Sequence, residues 1–123
     1  MKKIRLHNTF TVRWPVTDSS GSAIDLANMT VRLFLTTPKG RKEISSDEFQ
    51  ITSAQGSVVN NVVVWKFDGA DQYVTGTYVL TLQITDTESN MKTCDYEQAF
   101  RLVGSSAQSE GLQAGNVLNL ADV

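Results

Sequence analysis

Apolar and polar residues alternate along most of the chain with a period of two. In TFTVRWPVT, residues 9–17, Phe10, Val12, Trp14 and Val16 share one parity and Thr9, Thr11 and Arg13 the other. That is the pattern of a half-buried strand. Pro15 lacks a ladder donor, which predicts a sheet edge or a break there. TVRLFLTT sets Val31, Leu33 and Leu35 on one face, while Phe34 on the other predicts partial cover of the second side. VVVWKF groups Val63, Trp65 and Phe67 against Val62, Val64 and Lys66. TGTYVLTLQIT turns Tyr78, Leu80, Leu82 and Ile84 inward and Thr77, Val79, Thr81 and Gln83 outward. MKTCDYEQAFRLV gives Cys94, Tyr96, Phe100 and Leu102 a common parity, with Gln98 the polar exception.

Turn signals separate these runs: TDSSGSA, TPKGRK with Pro38 and Gly40, SAQGSVVNN around Gly56, and TDTESN. Shorter strands are expected in KEIS and around Phe49 and Ile51. IDLANM reads as a crossover with Ile24 and Leu26 inward, and DGADQYV as a loop with one helical turn. About seven strands, no long helical period and no internal repeat predict an all-β fold, an immunoglobulin-like antiparallel β-sandwich. Within it GTYVL, Gly76 to Leu80, has the form of a tyrosine corner, in which the hydroxyl of Tyr78 returns to the preceding loop. Leu80 stands where antibody domains carry a cysteine. The alternative is an ordinary strand whose tyrosine only packs.

The sandwich is expected to span residues 1–103. Residues 104–123 differ in kind: Gly104 to Gly115 is small and polar, as linkers are, and an apolar end follows. Two readings stand, a disordered tail or an arm that docks Leu112, Val117, Leu118, Leu120 and Val123 on another subunit.

A chain of 123 residues holds one domain with a modest core. Lys and Arg number 11 against 13 Asp and Glu, so no cationic surplus exists to neutralise a nucleic acid. The basic clusters MKKIRL and PKGRK read as a solvated chain end and a solvated turn. One cysteine allows no internal disulfide and suits synthesis in a reducing compartment. Arg5, His7 and Asn8 interrupt any signal-like apolar region, and no run is long enough to span a bilayer. The expectation is a soluble protein made in a cytoplasm, with no membrane partner.

Catalytic, cofactor and metal chemistry find no footing. The one histidine, His7, precedes a strand and reads as a surface residue, and Cys94 reads as a small core hydrophobe. One Cys and one His are too few for zinc. The acidic pairs Asp47–Glu48 and Asp86–Glu88 lack a calcium-loop pattern and read as solvated turns, and DSSGSA lacks the lysine of a phosphate loop. Trp14, Trp65, Tyr73 and Tyr78 are candidates for a sugar-stacking platform. Of these only Tyr73, in a loop, is expected to be exposed.

LHNTFTVRWPV, DLANMTVRLFLTTPKGRKEI, VVVWKFDGADQYVTGTYVLTLQI and CDYEQAFRLVGSS together resemble the small immunoglobulin-like domains of tailed-phage and prophage structural proteins. They are similar to the N-terminal domain of baseplate upper proteins and to related head- or tail-fibre proteins. The shared features are DL before a V-x-L strand, G-x-Y-x-L, and F-R-L-V followed by small residues, over roughly residues 4–106. The resemblance implies a non-enzymatic virion adaptor in a tail, baseplate or fibre. It would be made in the host cytoplasm and would bind other virion or tail proteins, or copies of itself, through sheet edges and the C-terminal arm. The alternative is a bacterial carbohydrate- or surface-binding sandwich, marked by an exposed aromatic at Tyr73.

Overall fold

The computed structural model describes residues 2–27, 29–86, 92–104, 112–113 and 117–120, with backbone alone at 92–94 and 112–113. Ten strands follow in chain order: β1 (Lys2–Arg5), β2 (Phe10–Pro15), β3 (Thr30–Thr37), β4 (Gly40–Ile44), β5 (Phe49–Thr52), β6 (Val62–Phe67), β7 (Gly76–Asp86), β8 (Lys92–Val103), β9 (Leu112–Gln113) and β10 (Val117–Asn119). A short 3₁₀ turn, Gly69–Asp71, lies between β6 and β7. Among the described residues no helix is long and apolar enough to cross a membrane.

The strands form two five-stranded sheets, β1-β8-β7-β3-β4 and β5-β6-β2-β10-β9. The central orders β8-β7-β3-β4 and β2-β6-β5 are those of an immunoglobulin-like sandwich. The alternation in the sequence sets the register. Leu33 pairs with Leu82 and Leu35 with Leu80, Tyr78 with Phe100, and Val12 with Trp65. Each pair places apolar side chains on the face turned to the opposite sheet, as a period of two requires. The core holds Phe10, Val12, Trp14, Leu33, Leu35, Val63, Trp65, Phe67, Tyr78, Leu80, Leu82, Phe100 and Leu102, all buried.

Four aromatic rings stitch the sheets together. Phe10 and Phe67 come from one sheet, Tyr78 and Phe100 from the other. Phe10 meets Phe100 edge to face at 5.7 Å, and Tyr78 stacks on Phe100 at 5.7 Å. Trp65 stacks on Phe67 at 4.7 Å. Such pairs add to the stabilisation from area burial alone.

Both chain ends join the sandwich, and each does so in parallel. β1 runs parallel to β8, with Ile4 opposite Leu102 and fully buried. Lys2–Arg5 is therefore a strand, although Lys3 and Arg5 stay exposed as expected of a solvated end. β10 runs parallel to β2, with Leu118 opposite Val12. Leu118 and Leu120 are 0% exposed. At these two residues the segment packs in its own sandwich, where β2 offers an open edge and a place in the core, and neither stays free as a tail nor presents them to another subunit. Val117 is half-buried in β10, and Leu112 enters β9. The side chain of Leu112 and the whole of Val123 lie outside the described residues. Parallel pairing cannot be made by a hairpin, and both parallel pairs join strands far apart in the chain. Pro15 fits its sequence reading locally: β10 reaches only Arg13 along β2, so at Pro15 the strand has β6 alone as neighbour.

The tyrosine corner forms. The hydroxyl of Tyr78 donates to the carbonyl of Val74 at 2.5 Å. Gly76, two residues before it, has φ +134°, and a Cβ there would meet Cγ of Pro38 at 2.7 Å. The turn TDSSGSA folds around Asp18, whose carboxylate accepts from the hydroxyl of Ser20 and the amides of Ser20 and Ser22. The Ser20 hydroxyl bond leads in holding the Asp18 carboxyl below its ordinary range.

Leu118→Ala is expected to destabilise the fold by about 2–5 kcal/mol, measured by urea unfolding, since it empties a filled core site. Tyr78→Phe should cost about 1 kcal/mol, the net worth of one hydrogen bond. Burial, partly offset by the Val74 carbonyl, raises the Tyr78 pKa above its ordinary 10.0. Its contribution is therefore complete below pH 10 and declines as pH rises past it, because the unfolded chain loses that proton first. A Tyr78→Phe variant should lack this part of the alkaline loss in a pH series of unfolding midpoints.

Candidate functional site

The loop from Asp68 to Thr75 is tied down on both sides of Tyr73. Asp68 caps the 3₁₀ turn by accepting from the amide of Ala70 at 3.0 Å. Gly69 lies so close to the β1–β2 connection that a Cβ would stand 2.1 Å from the carbonyl oxygen of His7. The Gly69 amide donates to the Thr9 hydroxyl at 2.9 Å. Gln72 is fully buried. Its Oε1 accepts from the His7 amide at 2.7 Å, and its Nε2 donates to the Asn8 carbonyl at 2.7 Å and the Phe67 carbonyl at 3.4 Å.

Gln72 is thus held inward by its side chain, and Val74 is held by the Tyr78 hydroxyl. Between them Tyr73 is 75% exposed. An exposed aromatic on a rigid loop is a contact group prepared before any ligand arrives.

Beside Tyr73 a cleft opens between the two sheets. β5 begins at Phe49, opposite Trp65, so Lys66 and Phe67 of β6 have no strand on that side. In the other sheet β4 is the edge. Lys42 pairs with Leu35 and shares its inward parity, which carries it to the mouth of the cleft. Two hollows of about 190 and 230 Å³ lie here, and both are lined by Lys42, Phe67 and Asp71. The first also takes in Lys39, Tyr73 and Tyr78, the second Glu48, Trp65, Lys66 and Asp68. Among the described residues the one ion pair is Arg32–Glu43, outside this cleft. Three ammonium and three carboxylate groups therefore converge without pairing among themselves.

Other surfaces offer less. A larger hollow of 390 Å³, at Leu26, Met29, Val31, Phe49 and Ile51, contains no charged side chain. On the outer sheet face, the guanidinium groups of Arg41 and Arg32 lie 4.2 and 5.0 Å from the centre of the Phe34 ring. These cations provide the cover that the parity of Phe34 predicts. Arg32 donates to both carboxylate oxygens of Glu43, at 2.6 and 3.0 Å. That bond leads in raising the Arg32 pKa and in lowering that of Glu43.

The sequence candidates do not converge. Tyr73 stands at the cleft, while Leu118 and Leu120 are core residues. Trp14, Trp65 and Tyr78 are buried, leaving no platform built from all four aromatics. The Nδ1 of His7 lies 3.3 Å from the Gly69 carbonyl, and Asp47 accepts from the Ser45 hydroxyl. The side chain of Cys94 and all of Glu88 lie outside the described residues. Among the described residues no three of His, Cys, Asp and Glu gather as metal ligands would. Sequence reasoning missed Lys42, Asp71 and Gln72. The inward parity of Lys42 in a strand that pairs with Leu35 was the available signal.

Gly69→Ala is expected to destabilise the protein by roughly 1–3 kcal/mol, the cost of forcing an atom into packed space. Gln72→Leu should cost a similar amount, about 1–3 kcal/mol, because it strands the His7 amide and the Asn8 carbonyl. Amide hydrogen exchange should locate the loss of protection in the β1–β2 connection as well as in the Tyr73 loop.

Residues 2–98 match the family described as the cellulose binding domain. The match covers strands β1 to β7 and part of β8 and carries no phage link. No curated protein and no solved structure matches the chain significantly. A match over most of the chain, on a β-sandwich, fixes the relationship: the chain belongs to the cellulose binding domain family.

Proposed function

We propose that this protein is a non-catalytic carbohydrate-binding module, with polysaccharide contact centred on Tyr73. The family match supports the carbohydrate class. The observation that carries the site is the exposure of Tyr73 on a loop whose flanking residues are both tied down. An aromatic ring offers its face to the C–H face of a pyranose, and the charged groups beside it offer hydrogen bonds to hydroxyls. Binding needs no proton transfer, metal or nucleophile. The virion-adaptor reading rests on a resemblance, with sheet edges and the C-terminal arm as contacts; the family match points to carbohydrate instead, and Leu118 and Leu120 of that arm are buried in their own core.

The test is depletion of the protein from solution by washed insoluble polysaccharides, with cellulose first and xylan, chitin and starch beside it. Retention on at least one, reversed by an excess of the same glycan in soluble form, is the expected result. Equal recovery from all four and from a glass-bead control, together with no binding of soluble oligosaccharides of the same glycans, would defeat the reading.

A further inference from the structure

We infer that the cleft between β4 and the end of β6 receives a single uncharged glycan chain, laid along the sheet edge, with Tyr73 stacked on one sugar ring. The inference rests on the carbohydrate-binding reading and narrows it to a soluble chain in a slot, as opposed to the flat face of an insoluble polymer.

Three independent observations point this way. The first is the supply of aromatic surface. A crystalline face is gripped by several coplanar exposed rings. Among the described residues Tyr73 is the one exposed large aromatic, both tryptophans are buried, and Phe34 is covered by Arg32 and Arg41. One ring can hold one sugar but cannot make a row.

The second is shape. The site is recessed between two sheets, because β5 stops short of Lys66 and Phe67. A broad surface cannot enter it, whereas a narrow chain can. Each hollow alone is smaller than the roughly 300 Å³ at which ligand pockets begin, and the two share Lys42, Phe67 and Asp71 in their walls, so a ligand with enough room is one long enough to use both. A ligand that fills it must pass Tyr73 and run on past Lys42 and Asp71, which line both parts.

The third is charge. Lys39, Lys42 and Lys66 balance Glu48, Asp68 and Asp71, and none is ion-paired with another described residue. A balanced cleft gives no net attraction to an anion or a cation. It does place donors beside acceptors, which suits neighbouring hydroxyls, since each hydroxyl both donates and accepts. Neutral sugars present such pairs along their whole length.

The experiment is titration calorimetry of the full chain with glucose and with soluble β-1,4-linked gluco-oligosaccharides of two to six units. Tyr73→Ala, Lys42→Met and Asp71→Asn are titrated in parallel, and all four proteins are also tested for retention on insoluble cellulose. Thermal melting of each variant checks that it is folded, which the exposure of these side chains leads us to expect. The expected result is affinity for the soluble chains that rises with length and then levels. Tyr73→Ala should weaken it about tenfold or more at unchanged melting temperature, as loss of a central aromatic contact does. Lys42→Met and Asp71→Asn should each weaken the longer chains more than the shortest. Retention on insoluble cellulose without binding of soluble chains, or soluble binding indifferent to Tyr73→Ala, would overturn the cleft while leaving the carbohydrate-binding reading intact. Tighter binding of a polyuronate than of the neutral chain would overturn its neutral specificity. Failure to bind any glycan, soluble or insoluble, would overturn both.

Discussion

The buried amide of Gln72 is the constraint on which the arrangement of this surface depends. A fully buried amide must find partners, and those of Gln72 are main-chain groups of two separate connections, His7 and Asn8 before β2 and Phe67 at the end of β6. Neither connection can shift without leaving polar groups unsatisfied in a place water does not reach. Gly69 adds a steric condition, since the loop passes within contact of the His7 carbonyl. Tyr73 inherits its orientation from these neighbours and spends none of its own surface on holding still. Below it the rings of Phe10, Phe67, Tyr78 and Phe100 join the sheets, so the rim rests on an aromatic cluster of the core.

The cleft arises from strand lengths that do not match. β5 has four residues and β6 has six, so two positions of β6 lie open on one side. Across the gap β4 is an edge strand, and edges invite unwanted pairing with other chains. Lys42 answers that hazard with an inward-pointing charge. The same side chain supplies a hydrogen-bond donor to the cleft, so one residue guards the edge and furnishes the site.

Much of the sandwich was legible in the sequence. The inward sets of β2, β3, β6 and β7 follow from alternation, and the corner at Tyr78 from the order G-T-Y-V-L. The exposure of Tyr73 was legible as a loop position. Its cause was not, because Gln72 reads as an ordinary polar loop residue until its backbone partners are in place. The two terminal strands were harder. Ile4 is a single apolar residue among Lys2, Lys3 and Arg5, too little for a period to register. Leu118 and Leu120 announced an apolar face, and alternation cannot say whether such a face meets its own chain or another. The cleft was invisible for a related reason: it depends on where β5 stops relative to β6, and a register of that kind is a property of pairs of strands.

The parallel seat of β10 beside β2 has a consequence for the order of events as the chain is made. β2 leaves the ribosome before β10, with seven of the described strands between them. Until the later segment arrives, one edge of β2 is bare, and the space for Leu118 and Leu120 is unfilled. Contacts between distant parts of a chain form slowly, and bare edges are sticky while they wait. A growing chain therefore carries an adhesive stripe along β2 from the moment that strand emerges until β10 follows it and closes the edge.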